Sequence, residues 1–153
     1  MLIALIGHAA SAGGNAQELR VLWNVHTAAA PRSRSEVGPA DRIDNLAILE
    51  RRQGVVFAPL QRRPQVSAGL IVVTAVDGDG IERGRTILPD PRIIRAEFPD
   101  ETGRLQGIVL LRPNVEFLVT LPEDPEIREL HILEPRWNGH EFVLEFISAV
   151  NLE

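Results

Sequence analysis

The chain of 153 residues lacks cysteine, lysine and tyrosine altogether, and each absence excludes a class of chemistry. Without cysteine the protein has no disulfide, no thiolate zinc site and no cysteine nucleophile. The absence of lysine excludes a Schiff base and a P-loop lysine, and the absence of tyrosine excludes a phenolic general acid. All 16 basic residues are arginine, a bias that the codon usage of a GC-rich genome is sufficient to explain.

Charge is unevenly distributed along the chain, which has a net charge of −5. Residues 31–63 contain seven arginines against four acidic residues, whereas residues 97–153 contain twelve acidic residues against four arginines. An acidic surface repels the phosphate backbone, so we expect no nucleic-acid partner. No apolar run approaches the roughly 18 residues that a transmembrane helix requires, so we expect no transmembrane segment.

The N-terminal stretch MLIALIGHAASAGG resembles the end of a secretory signal peptide. An apolar run leads to Ala10-Ser11-Ala12, an A-x-A cleavage pattern, although no positive residue precedes the run. The pattern predicts cleavage after Ala12 and a secreted or periplasmic protein. Residues 1–12 are then a signal-peptide remnant, and residues 13–153 form a single domain. The alternative is that LIALI forms an ordinary first strand of the fold.

Short apolar runs alternate with Pro, Gly and Asp turns at a spacing of about 8–12 residues over most of the chain. Most prolines fall in the predicted turns between strands, where no hydrogen bond of a sheet needs the N–H that proline lacks. This cadence predicts an all-β fold, an antiparallel Ig-like or fibronectin-like β-sandwich of about 7–8 strands. The clearest strands are expected at residues 69–76, 81–88, 92–98, 104–111, 114–121, 126–133 and 140–152.

The first third of the chain is harder to assign. Leu19, Val21, Trp23 and Val25 alternate with polar residues and predict a strand with one buried face, and residues 55–59 are expected to form another. Residues 28–42 carry Pro, Gly, Ser and charge without a period, which predicts a long loop. Residues 43–52 place Ile43 and Leu46 at helical spacing, which predicts a short helix, but a strand through residues 47–49 fits equally well.

The sequence DGDG at residues 77–80 has two interpretations. In the register of an EF-hand loop, Asp77 and Asp79 fill the third and fifth positions, but Ala75 and Thr86 stand at the first and last ligand positions, where neither fits. Asp-Gly between β-branched runs is instead a strong signal for a β-hairpin. We predict a hairpin and keep Asp77 and Asp79 as weaker candidates for a calcium site of another type.

The last predicted hairpin contains the other candidate ligand residues. Asn138-Gly139 predicts a two-residue turn between the final strands. Trp137 beside it could stack on a sugar ring, although packing over the end of the fold is the commoner role for such a residue. His131 and His140 are expected to face each other across this hairpin, where they form a weak candidate metal site.

Sequence signatures of catalysis are absent. The chain contains no HExxH, G-x-S-x-G, GxGxxG or Walker motif, so zinc peptidase, serine hydrolase and phosphate-binding sites of those types are excluded. Paired carboxylates such as Glu123 and Asp124 fall in predicted turns, where a solvated role is commoner than acid–base catalysis. We therefore expect no catalytic residue and no cofactor.

Residues 90–125, DPRIIRAEFPDETGRLQGIVLLRPNVEFLVTLPEDP, carry a resemblance to a known class. In Asp90-Pro91-Arg92, the acidic turn before Gly103 and the strand FLVTLP, this run is similar to β-sandwich accessory domains of secreted bacterial proteins, such as those preceding M64-type metallopeptidase domains. The resemblance implies an exported, non-catalytic module. The metallopeptidase chemistry is not carried over, because the zinc motif is absent.

These expectations together describe an exported module that binds another protein or a neighbouring subunit, with exposed strand edges and the acidic C-terminal half as contact surfaces. One alternative is a calcium- or carbohydrate-binding surface domain that uses Asp77, Asp79 and Trp137. The other is a hydrolase whose carboxylates are assembled from separate strands.

Overall fold

The computed structural model describes residues 15–27, 42–54 and 65–152, which form nine β-strands and no helix. The strands are β1 (Ala16–Thr27), β2 (Arg42–Gly54), β3 (Leu70–Asp77), β4 (Glu82–Pro89), β5 (Ile93–Pro99), β6 (Leu105–Leu111), β7 (Asn114–Pro122), β8 (Ile127–Trp137) and β9 (Phe142–Asn151). Residues 1–12, most of the predicted 28–42 loop and the predicted strand at 55–59 lie outside the described residues.

The strands form three antiparallel sheets. In the first sheet β1 lies between β2 and β7, and in the second the order is β4-β3-β8-β9. Strands β5 and β6 form the third sheet by themselves. The prediction of an all-β, antiparallel fold is confirmed, with nine strands described instead of the expected number of about 7–8.

The two larger sheets share one apolar core. Side chains alternate between the two faces of a strand, so Leu19, Val21 and Trp23 of β1 point to the same side, and all three are buried as predicted. The other fully buried members come from β3, β7 and β8, and they are Ile71, Val73, Ala75, Val115, Val119, Leu121, Ile127, Leu130 and Ile132. Removal of this apolar surface from water holds the two sheets together.

The outer edges of the two larger sheets lie beside each other. Edge strand β2 lies beside β9, where the hydroxyl of Ser148 donates to the carbonyl of Asp44 at 2.9 Å. Edge strand β4 lies beside β7, where the hydroxyl of Thr86 donates to the carbonyl of Thr120 at 2.9 Å. Each edge strand is thus partly covered by an edge strand of the opposite sheet, and β5 and β6 are the strands without such cover in the described part of the chain.

The predicted short helix at residues 43–52 is wrong, because this segment lies inside strand β2. The side chains of Leu46 and Ile48 pack against the core, whereas Ile43 and Leu49 are exposed. This is a period of two, and β2 adopts it because its backbone pairs with β1 along the whole strand. The alternative strand interpretation was therefore the correct one.

Strand β8 is longer than predicted and contains Pro135 in its interior. The pairing of β8 with β3 ends at Leu133, whereas the pairing with β9 continues to Trp137. Pro135 therefore lies where β8 has a single neighbouring strand, and a sheet tolerates a missing N–H at such an edge position.

The turn between β8 and β9 is displaced by one residue from its predicted position. The N–H of Asn138 donates to the carbonyl of Glu141 at 3.1 Å, so Gly139 and His140 form the centre of the turn. The predicted centre, Asn138-Gly139, is wrong. The side-chain oxygen of Asn138 instead accepts the N–H groups of His140 and Glu141, both at 2.9 Å, which closes the turn.

Candidate interaction surface

Strands β5 and β6 form a hairpin that stands apart from the two larger sheets. They pair over seven residue pairs, from Ile93 opposite Leu111 to Pro99 opposite Leu105. Neither outer edge of the hairpin pairs with another strand among the described residues. The hairpin is inserted between β4 of one larger sheet and β7 of the other, the two edge strands that lie beside each other.

The hairpin exposes an extended apolar surface. Every residue of β6 is exposed, and both Leu105 and Leu111 are exposed by 68%. The exposed large apolar side chains of the hairpin are Phe98, Leu105, Ile108, Val109, Leu110 and Leu111. So many large apolar side chains exposed on one hairpin are uncommon on a protein that acts alone and are typical of a binding surface.

The two faces of the hairpin differ in chemistry, because residues directly opposite each other share a face. One face is apolar and consists, apart from Gln106, of Ile94, Ala96, Phe98, Ile108 and Leu110. The other face carries Arg95 and Glu97 of β5 next to apolar side chains of β6. The hairpin therefore offers both apolar area and a specific pair of charges.

The tip of the hairpin is a polar turn built on Asp100. Its Oδ1 atom accepts hydrogen bonds from the hydroxyl and the N–H of Thr102 at 2.7 and 2.8 Å and from the N–H of Arg104 at 2.9 Å. These hydrogen bonds hold the pKa of Asp100 below its ordinary value, and the bond from the Thr102 hydroxyl has the largest effect. Gly103 has a φ of 81°, which only glycine adopts without strain.

The base of the hairpin is held by a buried ionic cluster. The guanidinium of Arg92 donates to both carboxylate oxygens of Asp90, at 2.9 and 2.6 Å, and also to Glu134 of β8. The Arg92 and Asp90 side chains are each only 7% exposed. The buried guanidinium of Arg92 thus forms two hydrogen bonds with one carboxylate and contacts a second carboxylate. This arrangement fixes the geometry of the turn that leads into β5.

Arg92 also connects the hairpin to the first larger sheet. Its guanidinium carbon lies 4.0 Å from the centroid of the Trp23 ring, an arrangement that gives a cation–π attraction. The indole Nε1 of Trp23 in turn donates to Asp44 Oδ1 at 2.8 Å. Through Glu134 and Trp23, the base of the hairpin is therefore attached to both larger sheets.

The DGDG sequence at residues 77–80 forms the turn of a β-hairpin between β3 and β4, which confirms the prediction. Oδ1 of Asp77 accepts the N–H groups of Asp79 at 3.0 Å and Ile81 at 2.9 Å, and Oδ2 accepts Nε of Arg83 at 2.8 Å. Both carboxylate oxygens of Asp77 are thus engaged inside the turn. Arg83 and Arg128 lie beside this turn together with Glu126, so arginine side chains already balance the acidic groups there.

The Asp77 turn gives a prediction for the pH dependence of stability. The N–H of Ile81, followed by the side chain of Arg83, holds the pKa of Asp77 below its ordinary value of 3.8. A carboxyl group whose pKa is lower in the folded state stabilises the fold above the ordinary pKa and loses that effect as the pH falls through the folded-state value. We expect Asp77→Asn to be less stable than the native chain at neutral pH, with a difference that shrinks as the pH falls below 3.8.

The measurement is urea denaturation followed by circular dichroism from neutral pH to about pH 2, because urea is uncharged and does not screen the ion pairs of the protein. Asp79→Asn, which removes an exposed carboxylate from the same turn, is the matched control. A stability difference for Asp77→Asn that stays constant over the whole pH range would contradict the lowered pKa of Asp77 in the folded state.

The two candidate histidines are not brought together. His131 lies opposite Ala149 in the middle of the β8–β9 pairing, whereas His140 lies in the turn at the end of that hairpin. The Nε2 atom of His131 is 2.9 Å from a carboxylate oxygen of Glu129, and its ring packs edge-on against Phe146. The described residues contain no group of three or more His, Asp or Glu that could hold a metal ion.

Trp137 is exposed by 59%, so its ring is accessible as a sugar-stacking role requires. The ring also packs edge-on against Phe142, with centroids 5.1 Å apart. Trp137 therefore packs at the end of the β8–β9 pair and keeps exposed area, and its sugar-stacking role stays a prediction.

Sequence reasoning missed the two features that define this surface. Asp90-Pro91-Arg92 was noted only for its resemblance to other domains, and its partner Glu134 lies 42 residues after Arg92. The run LQGIVLL of β6 was expected to be an ordinary strand. The sequence contains one indication of this. The run contains almost no polar residues, so its pattern does not assign one face to the core and the other to solvent.

Comparisons of the chain with protein-family models, with curated proteins and with solved structures gave no match. Among the residues that the structure describes, no helix has the length and apolar character needed to cross a membrane.

Proposed function

We propose that the protein is a non-catalytic, exported module with an Ig-like β-sandwich body, and that it binds another protein or a neighbouring subunit through the β5–β6 hairpin. The observation that carries this proposal is the apolar surface of the hairpin, where Leu105, Val109 and Leu111 are each exposed by 64% or more. Burial of one such side chain contributes roughly 1.5–3 kcal/mol. A partner that covers the hairpin therefore gains substantially from doing so.

The construction of the hairpin supports this role. A two-stranded hairpin is only marginally stable in water on its own, yet this one is held at its base by Arg92, Asp90 and Glu134. The backbone adds further links, because the N–H of Val25 donates to the carbonyl of Pro113 at 2.7 Å. The body thus presents the hairpin in a fixed position, which lowers the entropic cost of binding.

Two further elements of the proposal rest on separate observations. The Ig-like sandwich body is supported by two antiparallel sheets that share one core. Export is supported by the A-x-A pattern that ends at Ala12, in a part of the chain outside the described residues. Both agree with a module that meets its partner outside the cytoplasm.

Site-specific photo-crosslinking in the native envelope fraction tests the contact. With a photoreactive side chain at Val109, we expect a crosslinked adduct of one defined mass. Addition of purified native protein should compete the adduct away, whereas the variant Leu105→Thr/Val109→Thr should compete poorly because it lacks most of the exposed apolar area of that face.

The control position is Ile81, an equally apolar residue that is exposed by 57% in the turn between β3 and β4. A photoreactive group there should give no adduct that native protein displaces. Equal crosslinking at Ile81 and Val109, or competition by the variant as effective as that by the native protein, would rule out the hairpin as the contact surface.

A carbohydrate-binding surface at Trp137 is the second candidate, and its support is the exposure of the indole ring. We rank it below the hairpin because one isolated aromatic ring offers far less contact area. The calcium alternative is weaker still, since the Asp77 carboxylate is already engaged by Arg83 and by backbone N–H groups.

Two open depressions on the described surface offer little support for the hydrolase alternative. One contains the ion pair of Arg20 with Glu50, and the other that of Arg83 with Glu126. Glu50 and Glu126 are each neutralised by a neighbouring arginine, so neither of these two carboxyl groups is poised for acid catalysis.

A further inference from the structure

We propose that the partner of the hairpin is a second copy of this chain, bound by antiparallel pairing of the two β5 strands about Ala96. This inference rests on the proposed function, because it names the partner of the hairpin and places the contact at the free edge of β5, beside the exposed side chains of β6. Its basis is the arrangement of backbone groups and charges along the free edge of β5.

The outer edge of β5 presents the backbone groups of its odd-numbered residues. The N–H of Asp100 donates to the carbonyl of Arg104 and the N–H of Arg112 donates to the carbonyl of Arg92, at the two ends of the β5–β6 ladder. Hydrogen-bonded pairs alternate along an antiparallel ladder, so the even-numbered residues of β5 bond to β6. The N–H and C=O groups of Arg95 and Glu97 therefore point away from β6.

The charges of this edge are complementary to themselves. In an antiparallel pair of β5 strands centred on Ala96, Arg95 lies directly opposite Glu97 of the partner subunit, and Glu97 lies opposite Arg95 of the partner subunit. Both are hydrogen-bonded positions of the new ladder, which gains roughly four backbone hydrogen bonds in this register. Oppositely charged side chains directly across a ladder attract each other.

The apolar side chains match in the same register. Ile94 lies opposite Phe98 of the partner subunit, so the apolar face of one hairpin continues without a break into that of the other. The product is a four-stranded sheet, and sheets of three or more strands reach the stability that an isolated hairpin lacks. At the end of β5, Pro99 has no N–H, which limits the pairing to this short central segment.

A second copy explains these features better than an unrelated partner does. A two-fold symmetric contact requires a surface that is complementary to itself, and the order Ile94, Arg95, Ala96, Glu97, Phe98 has that property on both faces of the strand. An unrelated protein or a lipid surface places no such symmetry requirement on the charges. Both are possible outcomes of the test below.

Charge reversal in the full chain tests the register. Arg95→Glu and Glu97→Arg each place like charges opposite one another at both symmetric positions, and each should raise the dimer dissociation constant by about tenfold or more. An equimolar mixture of the two variants should form heterodimers, because every opposed pair is then of opposite sign. The double variant Arg95→Glu/Glu97→Arg should recover the native dissociation constant. Sedimentation equilibrium and native mass spectrometry give these values.

Two further variants serve as controls. Glu101→Arg makes the same charge change in the exposed turn next to β5 and should leave the dissociation constant unchanged. Glu97→Pro removes an N–H that points away from β6, so it should weaken the dimer while circular dichroism shows an intact fold. Recovery in the mixture also shows that both single variants are folded.

A native chain that stays monomeric at high concentration, or a mixture that does not recover association, would overturn the second copy as the partner. The crosslinking at Val109 then separates the two proposals. An adduct with a protein of different mass, displaced by native protein, would keep the proposed function and replace the partner. Native protein that binds to lipid vesicles through the hairpin, without any protein adduct, would overturn both.

Discussion

Replacement of Arg92 by methionine is expected to lower the free energy of unfolding by about 3–5 kcal/mol. Methionine preserves much of the side-chain volume but leaves the carboxylates of Asp90 and Glu134 without the guanidinium that both contact. Their side chains are only 7% and 13% exposed, so water compensates them poorly. Urea denaturation followed by circular dichroism measures the loss.

Arg85→Met is the matched control for this substitution. Arg85 forms a two-bonded ion pair with Glu82 at 2.9 and 2.6 Å, similar to that of Arg92, but both side chains are 41% exposed. The expected cost is at most about 1 kcal/mol, because water and salt screen an exposed pair. Similar losses for Arg85→Met and Arg92→Met would show that burial of the cluster is not the cause.

A double-mutant cycle assigns the loss to the buried cluster. Glu134→Gln should cost less in the Arg92→Met background than in the native chain, because in that background the carboxylate of Glu134 no longer contacts the guanidinium of Arg92. Additive effects of the two substitutions would instead mean that Arg92 and Glu134 do not stabilise each other.

Replacement of Trp23 by alanine is expected to cost about 3–5 kcal/mol, the range typical of a buried large aromatic side chain. Trp23 is a fully buried member of the shared core, where its indole N–H donates to Asp44 and its ring face contacts Arg92. The substitution therefore removes apolar contacts, a hydrogen bond between β1 and β2, and the cation–π contact at the base of the hairpin.

The other tryptophan of the chain provides the control. Trp137→Ala should cost less than about 1 kcal/mol, because an exposed side chain makes few contacts that folding must maintain. Acrylamide should quench the fluorescence of Trp137 in the native state but quench that of Trp23 only after unfolding. A Trp23→Ala chain as stable as Trp137→Ala would contradict the position of Trp23 in the core.

Several elements of this fold could be predicted because their signals are local. The alternation of Leu19, Val21 and Trp23 records directly which face of β1 is buried. The DGDG turn was predictable for the same reason, since a side-chain acceptor at Asp77 and a glycine with positive φ at Gly80 close a hairpin without help from distant residues.

Strand β2 shows where local signals are insufficient. Its apolar residues fit a helical and a strand period almost equally well, and the choice depends on β1, which supplies hydrogen bonds along the whole of β2. Pro135 is a similar case. A proline was expected to end the strand, but the pairing of β8 with β3 ends at Leu133, which leaves an edge position in which a proline is acceptable.

The sequence by itself determined the β class, the positions of most strands and the DGDG turn, because period-two patterning and turn chemistry act between residues close in the chain. Only the tertiary structure decided that the β5–β6 hairpin keeps its apolar side chains in solvent and that Arg92 is buried against Glu134 and Trp23. Whether a side chain is buried depends on which strands lie over it. Burial is therefore determined by contacts between residues far apart in the chain, and a local sequence pattern does not show those contacts.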